Sequence, residues 1–230
     1  MKKWGAVITL FYGLALLVVL APLVVFLMGD YWSAAVFFDQ LTRVYAAWGF
    51  WIPLVILVCS QALLLFLRVD TSFKKLKPRA HILVSAAITS FFLAVLTFGG
   101  VMSLRVAFKG DNFGFLNNMS SEAALGCLLA ACAALWLLWG IIFYRFSRNS
   151  TDPISRAVSW MLRGSVLELL IAVPAHVIVR RRHDCSAPFV TSFGITSGIA
   201  IMLLSFGPSV LWLYKKRMDA YSARAAAGKS

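Results

Sequence analysis

The sequence predicts an all-α integral membrane protein, a single bundle of about six transmembrane helices. Three observations carry this expectation. First, 61% of the 230 residues are hydrophobic and 13% are charged, against about 45–50% and about 25% in a soluble domain. That leaves too few charges to wet a soluble surface and too much hydrophobicity for disorder. Second, apolar runs recur at the ~20-residue length that crosses a bilayer. Third, 22 Lys and Arg oppose 9 Asp and Glu, a net charge of +13. These basic residues fall mostly in short loops between the apolar runs, as positive-inside topology requires. No nucleic-acid partner is therefore expected, although a soluble protein of this charge would suggest one.

The spans follow in order. Lys2 and Lys3 precede an apolar run over 5–28. A cleavable signal peptide has a core of about 7–15 residues, so this longer run reads as a retained first span with its N-terminus in the cytoplasm. The stretch 29–45 mixes Asp30, Asp39 and Arg43 with aromatic side chains, which suits an interfacial helix or loop. The second span covers 46–67, with Pro53 as a kink. Arg68, Lys74, Lys75, Lys77 and Arg79 then mark a cytoplasmic loop.

The third span covers 81–104 and the fourth 122–144, joined by a nearly charge-balanced outer connection. Arg145, Arg148, Arg156 and Arg163 mark a second inner loop. Within it, Asp152 and Pro153 form a cap and first turn for a helix that continues into the fifth span, 164–179. The sixth span, 189–214, stops at Lys215-Lys216-Arg217. The bundle thus occupies 1–217, followed by a polar tail over 218–230. Both termini are cytoplasmic, and the expected location is the cell inner membrane, multi-pass.

One segment departs from this pattern. Glu168 is an acid well inside a span, where an ionisable group costs about 2.5–3.5 kcal/mol on insertion scales. It should be neutral, paired (Arg163 is one partner) or facing a cavity. His176 follows eight residues later, about 12 Å along the axis at 1.5 Å per residue. Pro174 lies between them and frees a backbone carbonyl near Leu170. Arg180 shares a face with His176 at i+4. Arg180, Arg181 and Arg182 spray around a helix end and suit a phosphate or carboxylate. On the outer side they break the positive-inside rule. They bind lipid phosphates, hold another anionic ligand or partner, or show that 164–179 is re-entrant and the arginines are cytoplasmic.

His183, Asp184 and Cys185 bring a base, an acid and a thiol together, and nearby arginines favour a nucleophilic thiolate. Consecutive residues seldom point into one site, however. The catalytic candidates are Glu168, His176, His183 and Cys185, each weighed against a packing role. His176, His183 and Cys185 have no recognised ligand spacing, so no metal is expected. With three histidines, two at opposite membrane faces, a bis-histidine haem is disfavoured, and the cofactor stays undetermined. Cys59, Cys127 and Cys132 lie in apolar runs as small hydrophobes. Gly194 and Gly198 form a G-x-x-x-G spacing for close helix approach, with Ala172 and Ala175 as the facing residues.

Three functions follow as expectations. The leading one is a non-enzymatic subunit or binding protein holding an anionic lipid, ligand or partner where the fifth and sixth spans join. The others are a small enzyme acting on a phosphorylated or acyl lipid, and a proton-coupled transporter or channel using Glu168 and His176. The expected partners are membrane lipids, with further membrane subunits or a second copy of the chain.

Overall fold

A computed structural model describes residues 2–28, 33–69, 78–110, 121–147, 153–182 and 188–205. Among these residues the chain is helical and contains no strand. The helices are α1 (Lys2–Met28), α2 (Ala34–Ala46), α3 (Trp48–Val69), α4 (Pro78–Lys109), α5 (Ser121–Ser147) and α6 (Pro153–Arg182). A further helix, α7, covers Pro188–Ser205. Five helices are long and apolar enough to cross a membrane, and a sixth crossing results if α2 and α3 form one broken span. The end of the sixth expected span, the basic stop and the polar tail lie outside the described residues, as do 29–32 and Asp152.

The expected interfacial segment contains a helix. Ser33 caps α2 by accepting from the Val36 amide at 3.4 Å, which satisfies one of the first-turn donors. Asp39 and Arg43 pair at 2.9 Å on its exposed surface, and no residue of α2 is buried. Extended backbone at Ala47 ends the helix, and α3 leaves at 66° to it. The break between the two helices therefore falls at Ala47, and Pro53 lies inside α3. Hydrogen bonds hold this corner. The Trp51 indole donates to the Tyr45 carbonyl at 2.8 Å, and the Tyr45 hydroxyl donates to the Leu17 carbonyl of α1 at 2.9 Å.

α4 is the central post, packing most extensively on α6 and α5, while α1 packs on α3 and α2. One apolar core joins these groups: Leu16 and Leu20 of α1, Leu57 of α3, Phe92 of α4, Met161 of α6 and Leu204 of α7 are all buried in it. α5 lies at the periphery. Its indoles dock it to α4, Trp136 donating to the Ala87 carbonyl at 3.1 Å and Trp139 to Thr97 Oγ1 at 3.0 Å. Leu129, Leu137 and Ile141 of α5 remain exposed. Apolar surface of this extent is a liability in water and suits a lipid environment.

α6 begins at Pro153, as its sequence suggests, and runs without interruption through Gly164 and Pro174 to Arg182. A re-entrant segment must reverse within the membrane. The 27 residues of Arg156–Arg182 span about 40 Å at 1.5 Å each, enough to cross the ~30 Å hydrocarbon core once. Both α4 and α6 extend past the apolar stretches expected from hydropathy, because a helix continues through charged residues where its backbone bonds are made.

Candidate functional site

Two polar features stand out, both on the seam where α6 meets α4 and α7. The first surrounds Glu168, which is 2% exposed. Three glycines let the helices close around its carboxyl. A methyl at Gly99 would collide with Glu168 Oε1, and one at Gly198 would lie 3.1 Å from Oε2. A methyl at Gly194 would lie 2.7 Å from Ser103 Oγ and 3.1 Å from Ala172 Cβ. Gly194 thus faces Ala172 as the spacing suggests, while Gly198 faces Leu169 and Glu168. Ala175 is buried elsewhere along α6.

The hydrogen bonding around this carboxyl is sparse. Ser197 Oγ reaches Glu168 Oε1 at 3.2 Å, but it also reaches the Phe193 carbonyl at 2.7 Å and the Gly194 carbonyl at 3.1 Å. One hydroxyl proton serves three acceptors. Glu168 Oε2 and Ser103 Oγ are buried with no hydrogen-bond partner among the described residues. Arg163, the expected ion-pair partner, makes no salt bridge with Glu168. It lies exposed at the edge of a cavity of about 520 Å³ between α4, α5 and α6, also lined by Thr97, Trp139, Trp160 and Glu168.

The second feature is the basic end of the bundle. Val106 of α4 and Val179 of α6 are fully buried against each other, with Val190 of α7 packed on them. The C-termini of α4 and α6 and the start of α7 therefore share one end. Gly110, at φ 63°, closes α4 in the left-handed conformation, and its amide caps the Val106 carbonyl at 2.9 Å. This is the αL ending that glycine permits without a Cβ clash. The next carbonyl, Ala107, accepts from the Arg182 guanidinium at 2.7 Å. A cation at a helix C-terminus also complements the helix dipole.

Through this contact the α4 residues Arg105 and Lys109 join Arg180, Arg181 and Arg182 at one end. Arg181, Arg182 and Lys109 are exposed, whereas Arg180 and Arg105 are half-buried. The contribution from α4 was missed in the sequence, because 105–120 reads as a balanced connection until α4 is known to run to Lys109.

His176 is 8% exposed, and its Nδ1 lies 2.8 Å from Thr191 Oγ1. That bond pins α6 to the first turn of α7. Glu168, His176 and Arg182 are thus each held by a different partner, at successive levels of α6. His183, Asp184 and Cys185 lie outside the described residues. Cys59, Cys127 and Cys132 are free thiols. No group of three or more His, Cys, Asp or Glu side chains comes together among the described residues.

A second cavity, of about 590 Å³, separates α1–α3 from α4 and α7. Leu54, Leu57, Phe92, Phe189 and Phe193 contribute to its largely apolar wall, and Ser197 also lines it. Compared with known proteins, the chain matches no family, no curated protein and no solved structure.

Proposed function

We propose that this is a non-enzymatic inner-membrane protein that holds an anionic lipid at the end of the bundle where α4, α6 and α7 meet. The observation that carries this reading is the Arg182–Ala107 contact. It sets the basic ends of two helices side by side, where neither helix places an acid in its last two turns. Guanidinium forks match phosphate oxygens in geometry and charge. Each Lys or Arg near an anionic headgroup contributes about 1 kcal/mol.

The apolar cavity supports the same reading. It is lined by α7 from Phe189 to Ile201 and by the α2–α3 corner at Val44 and Ala47. Its volume lies within the roughly 300–1,000 Å³ usual for ligand sites. An acyl chain enters this space while its phosphate meets the arginines. In the positive-inside arrangement both termini are cytoplasmic and this end lies on the outer side. The exposed apolar face of α5 leaves room for further membrane subunits or a second copy.

Native mass spectrometry of the detergent-purified protein with added anionic and zwitterionic lipids tests the proposal. Lys109 and Arg181 are the informative positions, because both are exposed and neither caps a helix. Removing two charges at about 1 kcal/mol each predicts roughly 30-fold weaker retention of anionic lipid in K109Q/R181Q, with zwitterionic lipid unaffected. Equal retention of anionic lipid by wild type and variant would contradict it.

A further inference from the structure

We infer that Glu168 is a proton-binding site whose occupancy is coupled to the packing of α4 against α7. The inference is independent of the lipid reading and stands on geometry. The carboxyl is buried among three helices, yet its residue lines the α4–α5–α6 cavity whose rim carries the exposed Arg163. Its Oε2 has no partner, and its Oε1 shares one serine proton with two carbonyls. A buried acid with neither ion pair nor full hydrogen bonding is costly as structure alone. Intramembrane carboxyls with these properties mark proton-exchange positions.

The surroundings favour a proton over a metal ion. Hard divalent cations take about six to eight oxygen ligands. Among the described residues, Ser197 Oγ is the one oxygen from an adjoining helix that bonds the carboxyl. The space is also filled, since even a methyl at Gly99 collides with Oε1. A proton needs no volume: a hydronium ion entering the cavity transfers its proton to the carboxylate and leaves as water.

Few charges compete. α7 carries no titratable group over Pro188–Ser205, and α4 carries none between His81 and Arg105. α5 faces the cavity with Trp139, and α6 itself supplies Arg163 five residues before and His176 eight residues after. α1 packs nearby through Leu23 and Leu27. Because Gly99 and Gly198 touch the two carboxyl oxygens, gain or loss of the proton acts directly on the α4–α7 approach.

A membrane-permeant carbodiimide tests this in the intact protein. The protonated acid adds across the reagent, and rearrangement leaves an N-acylurea carrying the whole reagent mass on the glutamate. The expected result is modification of Glu168, mapped by peptide mass spectrometry, that falls as pH rises and does not respond to exchanging sodium for potassium. Infrared difference spectra of wild type minus E168Q should show a carboxylic C=O band that is lost over the same pH range. S197A should move that range without removing the band, as befits a positioning residue. Absence of label at Glu168 while the exposed Glu122 reacts overturns the inference. So does a band that ignores pH, which marks a permanently neutral structural acid. Protection by sodium assigns the site to a metal ion instead and overturns the proton.

Discussion

A methyl added at Gly99 strikes Glu168 Oε1, whereas one added at Gly126 of α5 meets nothing. The difference is between a helix pressed into a three-way junction and one on the periphery. Overpacking of this kind costs about 1–3 kcal/mol. G99A should therefore lower thermal stability in detergent, while G126A leaves it nearly unchanged. The clash is with one named atom, so the cost should shrink in an E168A background. Neighbours coupled in this way show interaction energies of roughly 0.5–3 kcal/mol. Strict additivity of G99A and E168A would remove the cradle from the account. Glu168 and His176 are visible in the sequence because ionisable residues are rare in apolar helices. Their partners are not. Ser197 and Thr191 look like any hydroxyl in a span, and only the antiparallel meeting of α6 and α7 selects them.

At the scale of elements, α4 ends through two devices with separable effects. Gly110 sits at φ 63°, where a side chain costs about 1 kcal/mol, so G110A should lower stability by that amount. Arg182 caps Ala107 from a neighbouring helix. R182Q should accelerate amide hydrogen exchange over Val106–Gly110, and R181Q should not. Equal acceleration by both variants would mean that charge density, rather than the cap, orders this end. The helices were largely legible because hydropathy marks where a chain crosses lipid, and because Pro153 announces the start of α6. Their lengths were not. Apolarity fades at Arg105 and at Arg180, but the backbone bonds of α4 and α6 continue to Lys109 and Arg182. That overrun builds the basic end. The corner at Ala47 falls within two residues of the expected boundary between the interfacial segment and the second span, but the Tyr45–Trp51 bond that braces it was hidden because it spans two helices.

For the whole molecule, the central claim is that an anionic lipid seats at the shared end of α4, α6 and α7, with its chain between α3 and α7. The positive-inside arrangement places this end opposite both termini. Reporter fusions within 111–120 and after residue 217 should therefore read opposite sides of the membrane; the same side for both would invert the proposed topology. The most direct measurement is photo-crosslinking with an anionic lipid that carries a diazirine in its acyl chain, followed by peptide mapping. Wild-type protein should be labelled at the cavity wall, at Phe189, Phe193 and Leu54, and K109Q/R181Q should lose that label. Labelling spread over the exposed face of α5, at Leu137 and Ile141, and unchanged in the variant, would contradict the account.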